Sequence, residues 1–581
     1  MRRAAETKQQ AVRRFTGRVT LVTAFFGLVA ASLVARAVYL QVLDKDFLNR
    51  QADTRHLRTE TISAHRGTIS DRYGEPLAIS TPVDSIWANP KQFAPAVDSV
   101  PQLARTLGID SQMLMRRIAR SMDKEFLYLK RHLNPEQAAE VLALELPGIN
   151  VQREYRRYYP ASEVTGHLVG FTDIDDIGQE GLELAYNPWL AGEPGAKRVL
   201  KDRLGRPIEN VASIRPPHPG KDLRTSIDLR LQYLAYRTLK SAIRKHNARS
   251  GSIVVLDVET GEVLAMVNQP TYNPNDRSQL AAERYRNRAI TDIFEPGSSI
   301  KPLIAAAALE SGQYRPSTIV DTAPGFIVVG PKKIEDTRNL GRVSLTTILA
   351  RSSNVGITKV AMTLQPDQLW DTMAHFGLGE LTSSQFPGES AGMLTHYSNW
   401  RPISQATLAY GYGVSVTPLQ LAQAYAAIGN GGVMRPVSLV ALDEPMEPER
   451  VVSTETADAV RSMLEETVRP GGTGTKAAVD GYSIAGKTGT AWKFATGGYS
   501  EDKYISIFAG LAPASDPRLA TVVVIDEPGG ELYYGSDVAA PVFADVMSES
   551  LRLLAVPPDA LPVRDPGSVM QAMAPAPTER Q

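Results

Sequence analysis

The nonapeptide FEPGSSIKP at residues 294–302 places a Ser-x-x-Lys spacing directly after a Pro-Gly pair. Its Pro296-Gly297 pair ends the preceding segment, so that a helix can begin at about Ser298 and end near Gly312. In such a helix Lys301 lies on the same face as Ser298, one turn further on. Its amine can then reach the serine hydroxyl, whose developing charge is favoured at a helix N-terminus.

The Ser-x-x-Lys spacing alone is weak evidence, because it occurs at two other places in the chain. Ser121 precedes Lys124, and Ser500 precedes Lys503. Both pairs stand in charged surroundings, which are typical of solvated surface. A catalytic interpretation of residues 294–302 therefore needs support from elsewhere in the sequence.

That support comes from two later elements, Ser352-x-Asn354 and Lys487-Thr488-Gly489-Thr490, each of which occurs once. Taken singly, Ser352 and Asn354 would be ordinary polar helix residues, and Lys487 a surface lysine. Taken in order with Ser298 and Lys301, they match a set of motifs for serine acyl transfer. To accept the serine proton Lys301 must be neutral, which requires its pKa to be lowered by burial or by a second cation such as Lys487.

A competing motif overlaps the last element. GYSIAGKT at residues 481–488 fits the phosphate-binding pattern G-x-x-x-x-G-K-[ST]. That loop needs a helix directly after the Lys-Thr pair, so that the helix N-terminus faces the phosphates. The following GTAWKFATGGYS has glycines, β-branched and aromatic residues and no helical periodicity. We therefore interpret Lys487–Thr490 as part of a strand edge.

The N-terminus predicts a membrane anchor. Residues 1–18 form a basic leader with six Arg or Lys against one acid, and residues 19–43 are predominantly apolar, with Arg36 as their one charged residue. As a helix, 25 residues span about 37 Å, enough for a hydrocarbon core of about 30 Å. A cleaved signal peptide would have a shorter apolar run, and a buried core helix would have a polar face. We expect an uncleaved anchor with its basic end in the cytoplasm and the rest of the chain outside.

Composition limits the remaining possibilities. With 581 residues, the chain is long enough for about three or four domains. Lys plus Arg and Asp plus Glu are both 63, so no overall charge attracts nucleic acid, and no nucleic-acid partner is expected. The chain has no cysteine for a disulfide, and its eight scattered histidines suggest no metal site. No cofactor is expected.

The sequence predicts a multidomain α+β protein. Residues 44–221 mix short strand-like runs with charged helices, which indicates an elongated α+β pedestal. Residues 222–556 have strand-like segments at both ends and helices between them. This pattern predicts an antiparallel sheet closed by distant parts of the chain, covered by helices and interrupted by a helical insert. Residues 557–581 are rich in proline and predict a disordered tail.

Several further segments resemble those of class B penicillin-binding proteins, and the resemblance covers nearly the whole chain. The segments are RGTISDRYGEPLA (66–78), RRYYP (156–160), GQEGLE (178–183), KDRLGR (201–206), YGYGVSVTPLQLA (410–422) and YYGSDVAAPVF (533–543). SIWANPK, TDIFEPGSS and RSSNVGITK resemble the division-specific branch of that family. The resemblance implies a dimerisation-type pedestal and a transpeptidase domain with a five-stranded sheet and a helical subdomain.

The resemblance also implies roles for the site residues. Ser298 would attack the peptide, and Ser352 would relay a proton to the leaving amine. Asn354 would orient Lys301 and the substrate amide. Backbone N–H groups of Ser298 and Thr490 would bind the oxyanion. The remaining substrate-binding predictions are Thr488 and Thr490 with Lys487 for the terminal carboxylate, Gly489 for close approach of the substrate backbone, and Tyr410, Tyr412 and Tyr534 as pocket walls.

By the same resemblance, the activity would be peptidoglycan D,D-transpeptidation at the septum, through a serine acyl-enzyme that β-lactams also form. The expected partners are stem peptides ending in D-Ala-D-Ala, the septal lipid-linked glycan polymerase of the SEDS type and other divisome membrane proteins. The expected location is the bacterial cytoplasmic membrane, with one span and an extracytoplasmic catalytic domain.

Three alternatives remain open from the sequence. A hydrolase of the same fold would need a base for water, and Glu183-x-x-x-Asn187 imitates such a motif but precedes Ser298. A non-catalytic division scaffold or antibiotic sensor is disfavoured by the complete set of motifs. A cell-elongation paralogue would differ mainly in chain length and in the sequence segments that flank the motifs. Whether the acceptor amine belongs to diaminopimelate or to lysine is left undetermined.

Overall fold

The computed structural model describes residues 2–43, 57–201, 207–278, 281–495 and 498–560. The chain folds into two compact units. The smaller contains residues 1–64, 84–154 and 193–219, and the larger contains residues 65–83, 155–192 and 220–581. The segment 44–221, predicted as one pedestal, thus contributes to both units, and the domain boundaries stay a prediction. Residues 561–581 of the predicted tail lie outside the described residues.

The smaller unit begins with the helix Arg2–Val38, which continues as one π-helical turn, Tyr39–Leu43. Its segment Phe15–Val42 has a mean hydropathy of 2.0 and is long and apolar enough to cross a membrane. An antiparallel sheet joins Leu57–Ile62, Gly195–Lys201 and Pro207–Arg215. The remaining helices are Pro90–Phe93, Ala94–Ser99, Val100–Leu107, Ser111–Ala119 and Pro135–Leu142.

Three strands of a second sheet extend the smaller unit. Leu127–Leu133 pairs with the latter part of Pro76–Ala88, which also pairs with Ile149–Tyr158. The helices Val100–Leu107 and Ser111–Ala119 bury their apolar faces in one core with this sheet. Ser121, predicted at the solvated surface, is buried with 6% exposure. That prediction is wrong because charged neighbours do not decide the burial of Ser121 itself, which lies in the turn after the helix Ser111–Ala119 and donates its N–H to the Ile118 carbonyl oxygen at 2.9 Å.

The larger unit starts with short elements from before residue 225. Ile69–Ser70 pairs with the start of Pro76–Ala88 and with Leu223–Arg224. The others are the strand pair Phe171–Thr172 and Gly178–Glu180 and the helices Ser162–Val164, Gly166–Val169, Gly181–Ala185 and Asn187–Leu190.

A five-stranded sheet organises the rest of the larger unit. Its order is Val263–Gln269, Ser250–Asp257, Leu519–Asp526, Gly498–Ala512 and Ala485–Ala495, and every neighbouring pair is antiparallel. Strands from residues 250–269 thus pair with strands from residues 485–526. The prediction of a sheet closed by distant parts of the chain is confirmed.

Alternate side chains of this sheet bury on opposite faces, as the two-residue period of a strand requires. Ile253 and Val255 pack in one core with the helices Leu229–Lys245 and Gly535–Leu553. Val254 and Leu256 pack in a second core against the central helices. The sheet is therefore covered by helices on both faces, and the predicted multidomain α+β fold is confirmed.

The central helices and small strand pairs form the insert between the two halves of the sheet. Its helices are Ala282–Tyr285, Arg288–Thr291, Gly297–Ile300, Lys301–Glu310, Leu345–Arg351, Asn354–Ala361, Pro366–His375, Tyr397–Asn399, Pro402–Leu408, Pro418–Gly429, Thr454–Val468 and Thr475–Ala477. Its strand pairs are Ile319–Asp321 with Arg342–Ser344, Phe326–Val329 with Lys332–Glu335, Met393–Leu394 with Val414–Ser415, and Val433–Met434 with Glu449–Arg450.

Candidate active site

One cavity of about 270 Å³ in the larger unit brings the three predicted motifs together. The predicted site residues among its lining are Ser298, Ser352, Asn354, Thr488, Thr490 and Tyr534. Lys301 and Lys487 are both 0% exposed and contact these lining residues through hydrogen bonds described below. Three segments that are up to 189 residues apart in the chain, from 298 to 487, therefore meet at one place.

The turn that carries Ser298 is a short 3₁₀ helix, Gly297–Ile300, followed directly by the α-helix Lys301–Glu310. Gly297 has φ +52°, a left-handed conformation that glycine adopts without steric cost. A Cβ on Gly411 would lie 2.2 Å from the Gly297 carbonyl oxygen. Two glycines thus let a second loop pack closely against the turn that carries Ser298 and hold it in place.

Lys301 is fully buried beside that turn, and its Nζ lies within hydrogen-bond distance of three oxygen atoms. These are the Ser352 carbonyl oxygen at 2.7 Å, Asn354 Oδ1 at 2.7 Å and Ser352 Oγ at 3.2 Å. Ser298 Oγ is not among its partners in the described part of the chain. Catalytic hydrogen bonds often tighten only when substrate is bound, so this geometry is compatible with Lys301 as a base.

The electrostatic environment favours the neutral form of Lys301. Burial lowers the pKa of Lys301 well below its ordinary value, and the positive charge of Lys487 lowers it further. Asp336 acts in the opposite direction. The condition stated from the sequence, a lowered pKa for Lys301, is thus met by both of the expected causes.

Ser352 lies between the two lysines. Its Oγ accepts from Lys301 Nζ and from Lys487 Nζ, the latter at 3.0 Å. Burial lowers the pKa of Lys487 to about 7. Ser352 has φ +58°, a left-handed conformation that costs a serine about 1 kcal/mol. The cap of the helix Leu345–Arg351 imposes this conformation, and it directs the hydroxyl to both amines.

Asp336 is a site residue that the sequence reasoning missed. Its carboxylate accepts from Asn354 N at 2.5 Å, Val355 N at 3.0 Å and Ser353 Oγ at 2.5 Å. It therefore binds the N-terminus of the helix Asn354–Ala361, where negative charge is favourable. No local pattern in KKIEDTRN signals this role, because Asp336 precedes the helix by 18 residues.

Lys487–Thr490 lies in the edge strand Ala485–Ala495 of the five-stranded sheet. Thr490 Oγ1 accepts from Gly535 N at 2.9 Å, and Thr488 Oγ1 donates to Thr473 Oγ1 at 3.0 Å. Because the segment after Lys487 is a strand, the phosphate-loop interpretation is excluded. The Thr490 hydroxyl keeps its own proton available for a ligand in the cavity.

The structure explains the glycine at position 489 in a different way from the prediction. A Cβ at this position would lie 2.9 Å from the Pro296 carbonyl oxygen and 3.1 Å from Ile507 Cβ. The missing side chain therefore makes room for the protein's own turn that precedes Ser298. This contact fixes the strand against residues 296–298, whatever the position of the substrate backbone.

The three predicted tyrosines are in two environments. Tyr534 lines the cavity and is 50% exposed. Tyr410 is buried with 7% exposure, and its ring centroid lies 5.5 Å from that of Tyr412. Tyr412 also packs against Tyr499, with ring centroids 5.3 Å apart. The cavity lining includes neither Tyr410 nor Tyr412, so only Tyr534 is placed as a wall of this cavity.

The motif that imitated a hydrolase base is structural. Glu183 and Asn187 both accept hydrogen bonds from Arg66, at 2.7 and 2.9 Å. Glu183 also accepts from Arg157 Nε at 2.6 Å. Glu183 is fully buried and is not part of the cavity that holds Ser298. It therefore cannot activate water there.

Comparison with known proteins agrees with this geometry. Residues 251–548 match the family described as "Penicillin binding protein transpeptidase domain", and residues 61–225 match "Penicillin-binding Protein dimerisation domain". The chain is 44% identical over 553 residues to the Peptidoglycan D,D-transpeptidase FtsI of Escherichia coli K12. The match covers 94% of each protein.

Solved structures give the same result. The transpeptidase domain of penicillin-binding protein 3 from Burkholderia pseudomallei is 41% identical with a TM-score of 0.54. The match covers 58% of this chain and 98% of that one. Penicillin-binding protein 3 from Mycobacterium tuberculosis, complexed with aztreonam, is 28% identical with a TM-score of 0.68. That match covers 87% of this chain and 100% of the other.

The sheet between two helical layers and the meeting of three motifs at one cavity are the features of a serine acyltransferase fold of the penicillin-interacting class. The chain belongs to the penicillin-binding proteins that combine a dimerisation domain with a transpeptidase domain. The resemblance predicted from the sequence motifs is confirmed. The roles of the individual site residues stay predictions.

Proposed function

We propose that this chain is a peptidoglycan D,D-transpeptidase that cross-links stem peptides through an acyl-enzyme on Ser298. The observation that carries the proposal is the contact of buried Lys301 with Ser352 and Asn354, beside the turn of Ser298. The names of the relatives support the same activity.

The proposed acylation starts with transfer of the Ser298 hydroxyl proton to the neutral amine of Lys301. Ser298 Oγ then attacks the carbonyl carbon of the penultimate D-Ala of the donor stem. The N–H groups of Ser298 and Thr490 stabilise the oxyanion. As the amide bond breaks, a proton reaches the leaving D-Ala amine through Ser352, which both lysines contact.

The second half reverses these transfers on the acceptor stem. An amine of a neighbouring stem attacks the ester carbon of the acyl-enzyme and loses its proton through Ser352 and Lys301. The ester bond to Ser298 breaks, and the serine oxygen recovers its proton. The products are a new amide cross-link and free enzyme, so that atoms and charges balance without a cofactor.

The lining of the cavity favours transfer over hydrolysis. Among its described residues, Asp336 is the one carboxylate. Both Asp336 oxygens already accept hydrogen bonds from the start of the helix Asn354–Ala361 and from Ser353. A carboxylate held in this way is a poor base for water, so a β-lactam ester on Ser298 should be released slowly.

The cellular setting is part of the proposal. The apolar segment Phe15–Val42 would anchor the chain once in the bacterial cytoplasmic membrane, with its basic leader inside. The larger unit would then act outside that membrane, at the division septum. Its proposed partners are the septal SEDS-type glycan polymerase and other divisome proteins, with stem peptides and β-lactams as ligands.

The test is covalent labelling of the full-length protein in detergent with fluorescent penicillin. Wild-type protein should be labelled, and Ser298→Ala should abolish the label. Ser121→Ala and Ser500→Ala should be labelled like wild type, since neither residue lines the cavity. Labelling that survives Ser298→Ala would reject the nucleophile, and rapid loss of the label would favour a β-lactamase.

A further inference from the structure

A positive charge that faces the cavity would strengthen the binding of a carboxylate next to the scissile bond, and Lys487 is poorly placed to supply it. Lys487 is 0% exposed and is not part of the cavity lining. Its Nζ donates inward, to Ser352 Oγ at 3.0 Å and to the Thr488 carbonyl oxygen at 3.1 Å. With a pKa lowered to about 7 by burial, Lys487 also carries only part of a charge near neutral pH.

Arg351 is a cation that does face the cavity. It is the last residue of the helix Leu345–Arg351 and directly precedes Ser352. A Cβ added to Gly471 would lie 3.0 Å from Arg351 Nη2, so the guanidinium lies against the loop that contains Gly471. That loop is fixed to the same helix end, because Thr473 N donates to the Ala350 carbonyl oxygen at 3.1 Å.

The same loop connects Arg351 to the strand that carries the predicted carboxylate ligands. Thr488 Oγ1 donates to Thr473 Oγ1 at 3.0 Å, and both threonines line the cavity. Arg351 therefore lies at the end of the cavity formed by Thr473 and Thr488. Arg338, the other arginine of the lining, belongs to the loop just after Asp336, which binds the start of the helix Asn354–Ala361.

The guanidinium of Arg351 has no protein counter-ion. Within the described ranges, no carboxylate lies within 4 Å of it, and none of its N–H groups is used in a hydrogen bond. An arginine keeps its charge at any physiological pH, and its planar fork fits a carboxylate with two parallel hydrogen bonds. An anionic ligand in this cavity would thus meet an unpaired fork donor beside two threonine hydroxyls.

We propose that Arg351 binds the C-terminal carboxylate of the donor peptide, together with the hydroxyls of Thr488 and Thr490. The inference rests on the proposed transpeptidase function and assigns to Arg351 the charge that selects peptides with a free C-terminus. β-Lactams that carry a carboxylate next to the reactive ring would use the same contact.

The experiment compares a penicillin with its methyl ester, which lacks the negative charge but keeps the reactive ring. Acylation rates of the full-length protein in detergent are followed by intact-protein mass spectrometry. Wild type should react faster with the acid. Arg351→Ala should slow acylation by the acid about 10- to 100-fold, the loss typical of a charged hydrogen bond, and leave the ester rate unchanged.

Two further variants make the result specific. Arg351→Lys keeps the charge without the fork and should recover part of the acid rate. Arg342→Ala removes an exposed arginine that is not part of the cavity lining and should leave both rates unchanged. Melting temperatures identify any variant that has lost its fold.

Three results would overturn the inference: equal slowing of acid and ester in Arg351→Ala, an unchanged preference for the acid in that variant, or loss of the preference in Arg338→Ala alone. Failure of the proposed function looks different. In that case wild-type protein would react with neither compound, or the adduct would not lie on Ser298.

Discussion

Two clusters of buried ionisable side chains in the larger unit differ in whether a counter-ion accompanies them. In the first, the guanidiniums of Arg66 and Arg157 share the carboxylate of Glu183, at 2.7 and 2.6 Å, and each of the three side chains is at most 1% exposed. In the second, Lys301 and Lys487 are equally buried, yet no carboxylate pairs with either amine in the part of the chain that the structure describes.

The difference separates a structural use of charge from a chemical one. Removing ions from water costs several kcal/mol each, and close opposite charges with good hydrogen bonds offset that cost. Glu183 provides this compensation for both arginines, which remain charged. The lysines have neutral acceptors instead, so their pKa values fall and their protons become mobile. A buried lysine without a counter-ion is therefore a candidate for proton exchange.

The largest expected effect tests the chemical cluster. Lys301→Met keeps the volume of the side chain but removes the base, so acylation by fluorescent penicillin should fall about 10³- to 10⁴-fold. The melting temperature should change little, since the substitution also removes the free-energy cost of burying an amine away from water. Lys359→Met, which removes a lysine that donates to the Asp321 carbonyl oxygen, is the control and should label normally. If Lys301→Met unfolded the protein, the lysine would be structural and the contrast would fail.

A second substitution tests the structural cluster. Glu183→Gln leaves Arg66 and Arg157 buried without an anion, and should lower the free energy of unfolding by about 3–5 kcal/mol. Guanidinium titration of tryptophan fluorescence measures this loss. Glu465→Gln breaks a partly exposed pair with Arg469 and should cost less than about 1 kcal/mol. Each variant should still be labelled by penicillin as long as it is folded. Equal losses of unfolding free energy in Glu183→Gln and Glu465→Gln would show that burial does not distinguish the two ion pairs.

The smallest effect concerns a carboxyl group beside the structural cluster. Burial raises the pKa of Asp176 to about 6. The folded protein thus holds this proton more tightly than the unfolded chain does. The resulting stabilisation is complete below about pH 4 and is lost as the pH rises through about 6.

Asp176→Asn removes the charge that burial disfavours, and asparagine tolerates the φ of +64° at this position. The variant should therefore be more stable than wild type at pH 7.5, by about 1 kcal/mol since the group is partly open to solvent. At pH 4 the difference should vanish. Melting temperatures at the two pH values measure it, with the exposed Asp367→Asn as the control. A gain of the same size at both pH values would point to a cause other than ionisation.

Much of the site could be predicted from short sequence patterns. Ser298 and Lys301 are one helical turn apart, so their proximity follows from local geometry. The strand containing Lys487 follows from the absence of helical periodicity after it. The closure of the sheet was also predictable, because strand-like segments stand at both ends of the catalytic half.

Other features had no local signal. Asp336 binds the helix start at Asn354, 18 residues further along the chain, and Gly489 accommodates the Pro296 carbonyl from the turn that carries Ser298. Arg351 stands next to Ser352 in the sequence, but its position against the loop of Gly471 is a tertiary fact. Tyr410, Tyr412 and Tyr534 were all predicted to line the pocket, whereas only Tyr534 is among the residues that line the cavity.

The kinds of chemical group, their order and the elements that carry them were predictable from the residues, because these depend on side-chain chemistry and on the local periods of helix and strand. Which charges are paired and which are buried alone depends on the tertiary structure. The ionisation of Lys301 depends on neighbours that lie 51 to 53 residues away along the chain, at Ser352 and Asn354. A pKa depends on the distances to neighbouring groups and on the exclusion of water, and a sequence pattern shows neither of these.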